Sequence, residues 1–281
     1  MESVGEDLAF DVYDGEDDEV MIQPFCPVVI LHGIFGHKGN WIDIAKEIAE
    51  KTIRKVYVLD MRNHGDSPKS PVMSHDANVQ DLEKFLRKLN TPCVLIGHSL
   101  GGVAAIKLAF QKSNLIKDLI LIDMSPLRYP QNTVHLILKG RRTLEELLLQ
   151  LPTDIELVEA QNMLEKEMNK LITYSSLNKI VCSNLDKSES GWKWKANLEV
   201  LETVDFKAMG SVFPLRGIYK GRCLLVHSDS SGYVIPEEDY DRLKTQFPKI
   251  NIVCLENCSH WIHMEKPDEL THSIVQHLNK N

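Results

Sequence analysis

The sequence predicts an α/β domain: a mainly parallel sheet with helices on both faces, and a helical cap inserted between the sixth and seventh core strands. Three observations lead there. Short apolar runs alternate with helix-length runs over roughly the first 125 residues, the pattern of strand–helix–strand crossovers. Between about Pro126 and Lys220 that rhythm stops, then resumes to the C-terminus. A serine set between glycines, Gly97-His98-Ser99-Leu100-Gly101, stands where an apolar run passes into a helical one. The core is therefore read as residues 1–125 and 221–281, and the cap as 126–220.

Leu8–Tyr13 alternates as a half-exposed edge strand should. The acidic stretch Asp14–Asp18 reads as a solvated turn. Val28–Leu31, Lys55–Leu59, Cys93–Ile96, Leu119–Ile122, Cys223–Val226 and Ile250–Leu255 read as core strands. Trp41–Ile53 and Asp76–Leu89 are helical, and Val103–Phe110 supplies one wall of a helix after the serine turn. Asp60–Pro68 carries charges and a histidine, but His64 lies outside the order Ser, acid, His; an Arg and Asp network holding a loop is the better reading. In the insert, Leu144, Leu147, Leu148 and Leu151 share a helical face, and Ile155 to Met168 do so more loosely; Trp192, Trp194, Leu198 and Leu201 follow. A helical segment placed there is expected to cover Ser99, exclude water and select the acyl chain.

The strand-before, helix-after setting makes the pentapeptide a nucleophile elbow. Glycines two residues either side of Ser99 remove the Cβ atoms that would block the turn, and the helix N-terminus favours negative charge beneath it. A nucleophilic serine needs a base. His260 lies just past the last strand, in the crevice at the strands' carboxyl ends, and takes that role. Cys254, Cys258 and His260 lack the second ligand pair of a zinc site, so no metal is expected. His263, in the next helix start, reads as structural.

Two strand ends offer an acid. Asp123 follows Leu119–Ile122, and Asp229 follows Cys223–Val226. On the common spacing G-x-x-D before an apolar residue, Ser228 takes the glycine position and Ser231 the acid position, so the usual seat holds no carboxylate. Asp123 is preferred; Asp229 and Asp205 stay open as alternatives. Acyl transfer also needs two preorganised N–H donors, each worth about 2.7–4 kcal/mol. Leu100, after the nucleophile, and Ile34, in the His32-Gly33 loop, are expected to give them. Phe35, Met124, Trp192, Tyr233 and Trp261, with Trp194, are candidate pocket-lining residues.

The runs LHGIFGHKGNW, LDMRNHGDSP, IGHSLGG, IDMSP and SHWIHMEKP, in that order, resemble the α/β-hydrolase superfamily. Within it they resemble the abhydrolase domain-containing protein 11 group and related bacterial acyl esterases, from Leu8 to the C-terminus. The resemblance implies the α/β-hydrolase fold and serine-dependent hydrolysis of acyl or lipid-like carboxylic esters. That group likewise lacks the usual acid after the seventh strand, which favours Asp123. Its animal members are linked to diacylglycerol-type lipids and to mitochondria. One triad also serves thioesterases and other acyl-transfer enzymes, and a hydrolase fold can serve as a non-catalytic binding protein.

Composition bounds the rest. A net charge of −8 argues against a general nucleic-acid or anionic-membrane surface, and the expected partner is a small acyl ester. No cofactor is implied. Six dispersed cysteines suit a reducing compartment. The acidic start, Met1-Glu2-Ser3-Val4-Gly5-Glu6-Asp7, resembles neither a secretory signal nor an Arg-rich import sequence. A cytoplasmic location is the expectation, with a mitochondrial one implied only by the resemblance. No run is long enough to span a membrane.

Overall fold

A computed structural model describes residues 5–15, 25–129, 141–189, 191–203 and 210–280. In chain order the core elements are β1 (Phe10–Tyr13), β2 (Val28–Leu31), α1 (Ile42–Thr52), β3 (Val56–Leu59), α2 (His75–Leu89), β4 (Cys93–His98), α3 (Leu100–Gln111) and β5 (Ile116–Ile122). The insert follows with α4 (Arg141–Gln150), α5 (Leu157–Leu171), α6 (Ser175–Cys182), β6 (Leu185–Ser188), β7 (Gly191–Trp194) and α7 (Leu198–Thr203). The core closes with β8 (Arg222–Ser228), α8 (Pro236–Gln246), β9 (Ile250–Leu255), α9 (Ile262–Glu265) and α10 (Pro267–Asn279).

Among the described residues seven strands form one sheet in the order β1-β3-β2-β4-β5-β8-β9. Among the described strands of this sheet only β1 runs antiparallel, at the edge that suits its alternating pattern. Central strands are buried on both faces, so successive side chains enter two different cores. Val29, Leu31, Leu95 and Leu121 meet α2, α3 and α8 on one face. Val28, Ile30, Ile96 and Ile122 meet α1 and α10 on the other. That double burial explains why these runs are continuously apolar.

Two expectations need correcting. Among the described residues five strands of the sheet, β1 to β5, precede the insert and β8 follows it, so in the numbering of described sheet strands it falls between the fifth and sixth. Nor is the insert wholly helical. β6 and β7 form an antiparallel hairpin, with Trp192 and Trp194 buried and Lys193 exposed between them. Period-two burial at Gly191-Trp192-Lys193-Trp194 is a strand pattern, which the surrounding helical spacing obscures.

Candidate active site

Every site loop leaves the carboxyl end of a strand. β2 runs into His32–Gly36, β4 into Ser99, β5 into Asp123, and β9 into the segment carrying His260. Each of these turns holds a non-glycine residue at positive φ: Phe35 at φ 60°, Ser99 at φ 51°, Asp123 at φ 45° and Asn257 at φ 56°. Such conformations persist only where surrounding contacts over-determine them. At the elbow, Ser99 takes φ 51° and ψ −116° directly before α3. A Cβ on Gly97 would lie 2.7 Å from the Gly101 carbonyl oxygen, and one on Gly101 would lie 2.6 Å from Leu31 Cβ. Backbone and strand crowd both positions, so glycine is required at each.

Of the described candidate acids, Asp123 is the one whose carboxylate bonds the His260 imidazole. His260 Nδ1 donates to Asp123 Oδ2 at 2.6 Å, joining residues 137 apart in the chain. Asp123 Oδ1 accepts from the Ser228 amide at 3.0 Å and from Ser231 Oγ at 2.9 Å. The carboxylate is wholly buried. Ser231, the residue in the usual acid seat, thus donates to Asp123 at the end of the neighbouring strand. Asp229 is exposed and accepts from the Asn257 amide at 3.1 Å. Asp205 lies outside the described residues.

Tyr233 gathers the other two members. Its ring stacks on the His260 imidazole at 3.9 Å and 6°. Burial, Tyr129 and Asp123 push its phenol up, so it stays protonated beside Ser99. Trp261 meets the imidazole edge-on at 5.7 Å. Met124 packs, fully buried, against the Gly102 turn of α3. Phe35 is buried in the same core cluster as Met124, Tyr233 and Trp261. Trp192 is a correction: it packs with Leu151, Ala160 and Leu185 inside the insert, and its Nε1 donates to the Pro152 carbonyl at 2.8 Å. A tryptophan satisfied in that way is insert core. Trp194 packs into the main core from the same hairpin.

The His32–Gly36 loop is tightly bonded. The Gly36 amide donates to the Gly33 carbonyl at 3.0 Å, and the Phe35 amide to His64 Nε2 at 3.2 Å. His64 Nδ1 bonds the Arg62 carbonyl at 2.8 Å, so its proton sits on Nδ1 and Nε2 accepts. His32 bonds the Gly33 carbonyl through Nδ1 at 2.7 Å and accepts from the Met61 amide through Nε2 at 2.9 Å. Arg62 in turn makes two 2.6 Å bonds to Asp81, and Asp60 accepts from the Lys38 and Asp66 amides. The Asp60–Pro68 segment is therefore a scaffold, with His64 held against the site's backbone and not against Ser99.

Sequence reading missed His98. It bonds the His260 carbonyl through Nε2 at 3.0 Å and lies 4.6 Å from His263, which stacks on Trp41 at 4.6 Å and 6°. The signal was present, since His98 adjoins the nucleophile, but its partner lies 162 residues away. The Cys258 thiol donates to the Leu255 carbonyl and is pushed up to about 11 by burial, and His260 Nδ1 is committed to Asp123; neither is arranged as a metal ligand.

These buried imidazoles make stability depend on pH. Burial pushes His64 down to about 4 and His263 down to about 3, and holds His32 and His98 well below their ordinary range. In the unfolded chain each protonates near about 6.5. Stability is therefore full above about 6.5 and declines as pH falls toward 4, by about 1 kcal/mol per pH unit for each such histidine. Urea midpoints measured at about pH 7 and about pH 5 should differ clearly, the lower one at pH 5. Equal midpoints contradict neutral burial.

A model of the Alpha/beta hydrolase family matches residues 28–272. The chain is 34% identical over 274 residues to the sn-1-specific diacylglycerol lipase ABHD11 of Danio rerio, covering 96% of this chain and 82% of that protein. It is 28% identical to Esterase YbfF of Escherichia coli K12, covering 90% and 93%. Among solved structures it is similar to a marine microorganism esterase at a TM-score of 0.76 and 25% identity, covering 97% of this chain and 99% of the other.

Proposed function

The chain belongs to the alpha/beta hydrolase family, and we propose that it cleaves esters through an acyl-enzyme on Ser99, with His260 as base and Asp123 as orienting acid. It is a carboxylic-ester hydrolase, as its lipase and esterase relatives and its esterase structural neighbour are. The 2.6 Å bond from His260 Nδ1 to Asp123 carries the assignment. A proton fixed on Nδ1 leaves the Nε2 lone pair to take the Ser99 proton as Oγ attacks the acyl carbon. The carbonyl oxygen becomes negative and is met by the Leu100 and Ile34 amides at the N-terminal end of α3. Collapse breaks the bond to the alcohol oxygen, which leaves with the proton from His260. Water then attacks the acyl-enzyme by the same proton path and frees the acid. No step calls for a cofactor.

The substrate class is an acyl or lipid-like ester. Support comes from the diacylglycerol lipase relatives and from the apolar flanks that Tyr233, Trp261 and Met124 give the imidazole and elbow. The insert 126–220 serves as the cap that selects the acyl chain, with Trp192 and its neighbours forming its internal core. All six cysteines are unbridged, which fits a reducing compartment such as the cytoplasm or the mitochondrial matrix. Among the described residues no helix is long and apolar enough to cross a membrane.

The test is hydrolysis of dispersed 1,2-diacylglycerol beside a p-nitrophenyl ester series of rising chain length. Diacylglycerol should turn over with release of the sn-1 acyl chain, and longer nitrophenyl esters should be preferred over acetate. Turnover of short esters with none of diacylglycerol removes the lipid assignment and leaves the ester chemistry.

A further inference from the structure

We infer that Asn184, contributed by the insert, is a positioning residue for the oxyanion hole. The inference rests on the reading of the Ile34 amide as an oxyanion donor. Asn184 is buried in the turn between α6 and β6, and its Nδ2 donates to the Phe35 carbonyl at 2.6 Å and to the Ile180 carbonyl at 2.9 Å. Two carbonyl neighbours fix which end of the side chain faces them: only the NH2 group can bond both.

A relay of planar groups runs from there to the site. A trans peptide is rigid, and its C=O and N–H point in opposite directions. Holding the Phe35 carbonyl therefore aims the N–H of the same peptide, that of Gly36, which donates to the Gly33 carbonyl at 3.0 Å. The Gly33 carbonyl belongs to the peptide whose N–H is that of Ile34. With its oxygen gripped by Gly36 and by His32 Nδ1 at 2.7 Å, that peptide must aim the Ile34 N–H the opposite way, away from the grip. The peptide between them is held at its N–H by His64 Nε2. Phe35 itself sits at φ 60°, a conformation a phenylalanine leaves unless restrained. His32 and His64 restrain the loop from the core, and Asn184 from the insert. The insert proposed to select the acyl chain thereby also sets the geometry that stabilises the transition state.

Asn184→Leu removes the donor with little change of bulk. Rates counted per fluorophosphonate-titrated site should show kcat for a p-nitrophenyl ester about 10- to 100-fold lower, less than or equal to the loss of a whole oxyanion donor. KM should stay within about threefold. Affinity for a trifluoromethyl ketone, which needs the hole once Ser99 adds to it, should fall by a similar factor to kcat. Asn184→Asp, of equal size but facing the carbonyl with an acceptor, should do the same and carries the test if the leucine variant is insoluble. Ser183→Ala, which deletes a neighbouring contact from the insert to His37 and Asn40, should leave kcat within about twofold. Unchanged kcat and ketone affinity in a folded Asn184 variant overturn the inference, as does a loss confined to KM. If Ser99→Ala keeps its activity, the acyl-enzyme reading fails instead; an inert Ser99→Ala beside an active Asn184 variant defeats the positioning role alone.

Discussion

Ser99→Ala is expected to lower kcat/KM for carboxylic esters by about 10⁴-fold or more and to abolish fluorophosphonate labelling. The size follows from covalency. Without Oγ no acyl-enzyme forms, and what remains is whatever the oxyanion donors and binding surfaces give a direct attack by water. The fold should survive, because alanine keeps the Cβ that packs beside Gly33 and the φ of 51° is imposed by β4, α3 and their glycines, not by the hydroxyl. An unchanged thermal midpoint with lost labelling identifies the hydroxyl as the reacting group. Labelling that persists, mapped by mass spectrometry to another serine, removes Ser99 from the mechanism and the triad with it.

Much of this architecture is legible in the chain because burial on two faces writes itself as uninterrupted apolar runs. β2, β4, β5 and β8 carry that mark, and the loops holding Gly33, Ser99 and Asp123 begin where such runs end; β9, at the sheet edge, is only half-buried. The elbow is legible for a different reason: crowding by Leu31 and by α3 admits only glycine at 97 and 101. Legibility fails where a residue's role depends on a distant backbone group. Asn184 reaches a carbonyl 149 positions away, and nothing in its neighbours marks it. Trp192 and Trp194 share a strand face, yet one enters the insert's own core and the other the main core; periodicity cannot separate those fates. The proposed acid is half legible. An unoccupied seat at Ser231 could be seen, but that Ser231 and the Ser228 amide would cradle the carboxylate of Asp123 needed the pairing of β5 with β8.

That cradle supports the second large effect. Asp123→Asn should cost about 10³- to 10⁴-fold in kcat, with little change in KM, because an amide favours the wrong imidazole tautomer and cannot stabilise the imidazolium. Asp229→Asn should stay within about threefold, its carboxylate being exposed and engaged with the Asn257 amide. Ser231 adds a sharper test. Its hydroxyl lies 2.9 Å from Asp123 Oδ1, so a carboxylate at 231 approaches the same imidazole from β8. In a wild-type background, Ser231→Asp would set two buried carboxylates side by side, which raises one pKa and destabilises the pair. In the Asp123→Asn background it supplies the one negative charge the imidazolium lacks, and kcat should recover at least about tenfold. Harm in one background and rescue in the other is the signature of a single acid site shared by two strand ends. A silent Asp123→Asn, with His260 still required, would assign the acid elsewhere.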